Sequence, residues 1–304
     1  MADIVVGGEL TERTAGHFAA LVDQQLATRP SSLLLDLHRI KTANVVGLAA
    51  ARQAARRAEE RGVSVTLACG DELQGALLRA QLLEDFDFNG AATSADPAVL
   101  LQPQSDQAHS ALSGRLGLRR PTWEELALFE AWSRDPLLEE MVGSQLLYRC
   151  RHLGAYHPDF VDLVLYDPRS LTFLVQPIEP ARDPVGFVRL YDIHLGQQFG
   201  FLETAMATVE SLRRGWGIEA SRLFLAYALD VLELHRIEAK VYDYNVLSAN
   251  SLKRNGFQQE GVLRQARVYG DRRWDILVFS ILQEEMLAQR TRERFPTMSL
   301  WPSK

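Results

Sequence analysis

Cysteine is nearly missing: the 304 residues contain two, Cys69 and Cys150. Two thiols cannot make a disulfide framework, and no Cys/His cluster has metal-ligand spacing, so each is expected to be a packed thiol and no metal is expected. Also missing is any apolar run near the roughly 20 residues that span a bilayer, and the opening Met1-Ala2-Asp3-Ile4-Val5-Val6 has no basic region ahead of an apolar one. A cytoplasmic location without a membrane partner is the expectation. Positive charge is not in excess either: 33 Lys and Arg stand against 39 Asp and Glu, a formal net charge of −6. Neutralising phosphates needs clustered Lys and Arg, so a general nucleic-acid binder is disfavoured. What is present, 47% hydrophobic and 24% charged residues, is the composition of a globular protein long enough for two domains.

In the first hundred residues, 4–10 read as a short strand, and Ala15, Phe18, Ala19, Val22 and Leu26 recur at helical spacing behind Thr11, a candidate N-cap. The apolar run 32–37 predicts a strand covered on both faces. Residues 48–61 are rich in strong helix formers and end at Gly62, after which 63–69 alternate as a strand. The pattern is a small alternating α/β domain over 1–88. Residues 89–115 are mostly a linker, because 89–113 are rich in Ala, Ser, Gln, Pro and Asp without sustained periodicity. Such a linker permits domain motion unless a sizeable interface fixes the pair.

The rest of the chain is organised around Arg213-Arg214-Gly215-Trp216-Gly217-Ile218-Glu219-Ala220. A strand over 201–209 precedes it and an apolar helical run from Ala220 follows, so the glycines sit where a strand becomes a helix. The first turn of a helix has backbone N–H groups without partners and a partial positive charge, and glycines let a ligand come close. That makes a candidate pyrophosphate cradle, to which Arg213 and Arg214 add charge. Many strand-to-helix turns need glycine for conformation alone, and that reading stays open. Further on, 235–244 alternate like a strand, and Asn245-Val246-Leu247-Ser248 then leads through Arg254 to Gly256-Phe257-Gln258-Gln259-Glu260-Gly261.

This order resembles the GNAT superfamily of N-acyltransferases, and within it the branch of ribosomal-protein N-terminal and spermidine acetyltransferases. That branch reads helix, Leu-His-Arg, strand, Asn-x-x-Ser, short helix, Gly-Phe-x-x-Glu-Gly. The resemblance covers about 116–288, opening with Leu118-Arg119-Arg120-Pro121-Thr122-Trp123-Glu124-Glu125 and closing with Arg272-Arg273-Trp274-Asp275. It implies a mixed, splayed β-sheet flanked by helices over 116–290, with 291–304 as a C-terminal tail. It also implies acetyl-CoA or another acyl-CoA as co-substrate and an amine acceptor, either a small molecule or a protein N-terminus. One departure is Leu212, where the family has Gln or Arg; the neighbouring arginines are the candidates to replace that charge.

The resemblance implies that pantetheine lies in the gap of the splayed sheet against Met206, Ala207 and Thr208. The pyrophosphate would meet Arg213, Arg214, Gly215, Trp216, Gly217 and Ile218, with Asn245 and Arg254 as further contacts to coenzyme A. Attack of a neutral amine on a thioester needs a base, a polarised carbonyl and a proton for the leaving thiolate. Where many members of the superfamily have a tyrosine acid, this chain has Leu252. The branch it resembles instead has a serine three residues after the asparagine, and that resemblance implies Ser248 as proton donor, its alternative role being to cap the helix running to Arg254. The branch often has an acidic residue at the start of the fourth strand, so the resemblance implies Glu203 as base, with Asp192 and His194 on the neighbouring strand as alternatives, and Asn245 to bond pantetheine or orient a water. His235 and Lys253 read as structural and solvated. Residues 142–166, with Tyr148, Arg149, Arg151, His152, Tyr156 and His157, should shape the acceptor pocket.

The first domain resembles the STAS domain of anti-sigma-factor antagonists, through Asp36-Leu37 and Gly47-Leu48 at the expected separation. Val45 stands where that family has its phosphorylated serine, so the resemblance implies a docking, dimerising or scaffold element, with self-association or a protein partner through it. A second hypothesis follows from Leu212, Leu252 and this accompanying domain: a non-catalytic regulatory or binding module.

Overall fold

The computed structural model describes residues 2–88, 99–103, 111–141, 143–178, 183–207, 209–293 and 297–301, the side chains of Leu137, Met141, Val209 and Arg213 excepted. The first sheet is built from β1 (Ala2–Leu10), β2 (Ser32–Ala43), β3 (Ser64–Ala68), β4 (Asp87–Phe88) and β5 (Val99–Leu100). Its order is β4-β3-β2-β1-β5 and every pairing is parallel. The connections carry α1 (Ala15–Ala27), α2 (Val45–Glu59) and α3 (Asp71–Arg79). Covered strands in a parallel sheet read as continuous apolar runs, which is why 33–35 are three consecutive buried leucines.

The second sheet uses β6 (Ala111–Leu112), β7 (Leu116–Arg119), β8 (Leu171–Pro177), β9 (Gly186–His194), β10 (Phe199–Met206), β11 (Arg236–Tyr242), β12 (Gln258–Tyr269) and β13 (Arg272–Leu282). Its order is β12-β13-β11-β10-β9-β8-β7-β6, antiparallel except for the β10–β11 pair. Four short helices, α4 (Leu126–Ser133), α5 (Pro136–Met141), α6 (Gln145–Leu153) and α7 (Pro158–Val161), fill the stretch between β7 and β8. Leu126, Phe129, Leu146 and Phe160 from these helices pack with Phe187 and Ala205 on one face of the sheet. After β10 come α8 (Val209–Arg213) and α9 (Trp216–Asp230), then α10 (Val246–Arg254) after β11 and α11 (Gln283–Glu293) after β13. Among the described residues no helix is long and apolar enough to cross a membrane.

The structure corrects four local expectations. The N-cap position of the first helix is Thr14 rather than Thr11, and its hydroxyl caps no helical N–H; it accepts instead from the Thr11 N–H at 2.9 Å, folding the turn back on itself. The strand expected over 201–209 ends at Met206, and α8 stands between it and the glycines. Within the expected linker, β5 adds to the first sheet and β6 to the second, while 89–98 and 104–110 lie outside the described residues. The expected tail is anchored: Trp301 is 8% exposed, and its indole N–H donates to Gln53 Oε1 at 2.6 Å.

The two sheets are not separate bodies, since one apolar core runs continuously through residues of both. From α2, buried Arg52 donates to the Leu195 carbonyl at 2.8 Å and Gln53 donates to the Val231 carbonyl at 3.0 Å. Gly196 donates its N–H to the Ala80 carbonyl, and a Cβ on Gly196 would stand 2.0 Å from the Gln81 carbonyl oxygen. Glu12 pairs with Arg120 at 3.3 Å, and Arg120 in turn donates to the carbonyls of Thr172 and Leu165. A shared apolar core and these polar contacts therefore join the pair, which the composition of the linker alone did not suggest.

Candidate functional site

The parallel ladder between β10 and β11 joins Phe199, Gly200 and Phe201 to Arg236, Ile237 and Glu238 and then stops, although both strands continue. A gap opens between 202–206 and 239–242. Toward β9, the Ala207 N–H donates to the Val185 carbonyl at 2.8 Å. Antiparallel alternation then turns the backbone groups of Ala205 and Glu203 to β9 as well, and those of Leu202, Thr204 and Met206 toward the gap. Of the three residues expected to line it, Met206 does, Ala207 commits its N–H to the neighbouring strand, and Thr208 lies outside the described residues.

On one face of the gap sits the first turn of α9. Gly215 is its N-cap, at φ 72°, a left-handed conformation that a glycine adopts without steric cost, and no atom lies within 4 Å of where its Cβ would be. The N–H groups of Trp216, Gly217 and Ile218, in the first turn, have no acceptor within their own helix. Gly217 plays a different part from the one expected of a positive-φ glycine. It is an ordinary helical residue whose Cβ would meet Met206 Cγ at 3.3 Å, so its smallness lets α9 settle on β10. Thr204 and Ser221 hydroxyls meet there at 2.9 Å. Arg214 bonds Glu210 at 2.6 Å and lies over the Trp216 ring at 5.1 Å; the Arg213 side chain is outside the described set. Leu212 is 37% exposed.

The same face carries the start of α10. Asn245, 2% exposed, is the N-cap, and its Oδ1 accepts the Ser248 N–H at 3.0 Å. Capping thus belongs to Asn245, and the half-buried Ser248 hydroxyl is left for another partner. Leu252, at the tyrosine position, is 8% exposed in the core beneath. Arg254 is exposed at the far end of α10, where its carbonyl accepts from Arg222 at 3.1 Å, beside the second turn of α9 rather than its N-terminus. Lys253 is exposed next to it, and exposed His235 donates its backbone N–H to the Gln198 carbonyl in the β9–β10 turn and accepts from the Gln283 N–H at the start of α11.

On the opposite face, Glu203 has a 13% exposed side chain facing Arg189, itself 5% exposed, at 3.9 Å. Burial pushes the Glu203 carboxyl above the usual carboxylate range; Arg189 and the Ser144 hydroxyl pull it back only in part. Burial likewise lowers the Arg189 guanidinium. Tyr191, next to both, has its phenol pushed up to about 12 by burial first and by Glu203 second. The alternatives for a base lie elsewhere. Asp192 and His194 sit beside Arg169 at the end of β9 that pairs with Phe199, away from the gap, and burial followed by Arg169 lowers the His194 imidazole.

Ser144 also lines a cleft of about 390 Å³ between the α5–α6 turn, Tyr242 of β11 and the β12–β13 hairpin. Tyr148 and Arg151 of the variable segment reach it, whereas Tyr156 packs on Trp123 at 5.6 Å and His157 caps α7. Sequence reading missed Ser144, Arg189, Tyr191, Tyr242 and Arg267. For Arg189 a signal existed: a charged residue in the middle of an otherwise apolar run, 187–190. Among the described residues no group of three or more His, Cys, Asp and Glu could hold a metal, and burial raises the Cys150 thiol to about 11.

Residues 115–258, from the edge of β7 to the start of β12, match the family model described as acetyltransferase (GNAT) domain. Over 85 residues the chain is 39% identical to the probable N-acetyltransferase YjcK of Bacillus subtilis, covering 27% of this chain and 45% of that protein. Over 72 residues it is 32% identical to the uncharacterized N-acetyltransferase YnaD of the same organism, covering 24% and 42%. The chain thus spans less than half the length of these curated relatives. A solved GCN5-related N-acetyltransferase from Brucella melitensis superposes with a TM-score of 0.50 at 22% identity, covering 63% of this chain and 86% of that one, a likeness of fold.

Proposed function

We propose that the chain is a coenzyme A-dependent N-acyltransferase, with acetyl-CoA as donor and a primary amine as acceptor. The observation that carries this reading is the interrupted β10–β11 ladder: an internal strand edge with unpaired backbone groups, a helix N-terminus on one face and a buried carboxylate on the other. Pantetheine would bond to the free backbone of Thr204 and Met206, and the pyrophosphate would meet the first turn of α9 at Gly215. Acyl-CoA supplies the activated thioester. Glu203 takes the proton of the ammonium, directly or through a water, and burial raises its affinity for protons above that of an exposed carboxylate, the direction that suits a base. Ser248 gives a proton to the departing thiolate, and Asn245 fixes Ser248 by holding the first turn of α10.

The N-terminal unit, which we read as STAS-like, serves in this scheme as a scaffold or docking element: Val45, at the phosphoserine position, is fully buried and has no hydroxyl. A cytoplasmic setting, where acetyl-CoA is made, fits the reading. The competing role, a regulatory module without chemistry, draws on Leu212 and Leu252. Calorimetry and thermal shift with acetyl-CoA separate them, since a ligand at 100 times its Kd raises stability by about 2.7 kcal/mol. Gly215→Ala should weaken that binding, with the melting temperature read on the same variant because a side chain at φ 72° adds backbone strain. No heat and no shift at millimolar acetyl-CoA would end the enzyme reading.

A further inference from the structure

The cleft beyond Ser144 has a charge pattern that bears on the acceptor. Two arginines line it, Arg151 and Arg267, with one carboxylate, Glu139. Glu139 is taken by Arg151 at 2.7 Å. Arg267 is held between neutral aromatic rings, 3.7 Å from the Tyr242 centroid and 5.1 Å from that of Tyr269. Its Nη2 makes only a 3.4 Å contact with the Glu139 carbonyl, and its buried Nη1 has no acceptor. A guanidinium stacked in this way has no counter-charge among the described residues, and a planar carboxylate is a group that its donor fork matches with two parallel bonds. The other end of the cleft leads to the base, because Ser144 is both a wall of the cleft and a neighbour of Glu203. At about 390 Å³ the space suits a small molecule.

Building on the acyltransferase reading, we infer that the acceptor is a small amine that also bears a carboxylate, an amino acid or close analogue, with the carboxylate on Arg267 and the amine toward Glu203. The transfer balances without a further reagent: Glu203 takes one proton from the ammonium and passes it to water, the amine nitrogen bonds to the acyl carbon, the C–S bond breaks, and the second proton lost by the nitrogen replaces the one that Ser248 gives to the thiolate. A polyamine would place a second cation against Arg267, so it should be a poor acceptor.

Thiol release from acetyl-CoA would be followed with the full chain, using free amino acids, their amides, spermidine and a short peptide with a blocked C-terminus. The expected result is turnover of at least one amino acid, with kcat/KM falling at least about tenfold when its carboxylate is amidated. Arg267→Gln should raise the acceptor KM and erase that difference while leaving the KM for acetyl-CoA within about twofold, and Arg267→Lys should restore part of it. Better turnover of spermidine or of the blocked peptide would overturn the inference. So would discrimination that survives Arg267→Gln, or a protein that binds acetyl-CoA in calorimetry and acetylates no amino acid. Failure to bind acetyl-CoA at all would instead remove the acyltransferase reading on which the inference stands.

Discussion

Glu203 is pulled in two directions. Loss of water favours its neutral acid, Arg189 at 3.9 Å favours the carboxylate, and the outcome is a carboxyl that holds its proton to higher pH than an exposed one. The sign matters for activity. A base must be ionised, so kcat/KM should rise with pH through this raised value and be lost as pH falls below it. Glu203→Gln should lower kcat by about 10²–10⁴-fold and abolish that acidic limb, as a pH–rate profile would reveal. A variant that retained the limb at full rate would assign the proton transfer to another group. Gly215 and Gly217 show that two glycines in one motif need not share a reason. The first supplies a left-handed φ over open space and the second a close approach to Met206.

At the scale of elements, α10 divides two duties between neighbouring side chains. Asn245 holds the helix and Ser248 is free to act, so their substitutions should separate. Asn245→Ala should cost about 1 kcal/mol of stability, read as a fall in melting temperature. Ser248→Ala should leave melting unchanged and lower kcat by about tenfold or more. If Ser248→Ala melts early instead, the hydroxyl is structural. The helices and strand order around the site were legible because glycines, the Asn-x-x-Ser spacing and apolar periodicity are local signals. The gap came only through the family resemblance, because alternation records which face a residue takes and never whether the next strand stays alongside. Residues 207–209 extended the alternation of β10 and so read as strand, though β10 ends at Met206 and α8 begins at Val209. The register shift between Leu263 and Arg267 likewise hides in a polar, exposed edge strand, taking with it the hairpin that lines the cleft.

For the whole molecule, the two sheets depend on each other. The composition of 89–113 suggested a tether between independent bodies, because composition reports on the connecting segment and not on what its ends bury. Gly196→Val would drive a branched side chain into the Gln81 carbonyl, and overpacking of this kind costs about 1–3 kcal/mol or more. The expected outcome is a lower urea midpoint with one cooperative transition throughout, while a second transition appearing in the unaltered protein would argue for independent units. The Gln53–Trp301 clasp joins residues 248 positions apart. During synthesis this face of α2 therefore stays open until Trp301 has been made. Domains generally fold in the order they are made, and apolar surface exposed in that interval invites aggregation. The face of α2 that waits carries Arg52, Gln53 and Arg57, side chains that water can satisfy until Leu195, Val231 and Trp301 arrive to replace it.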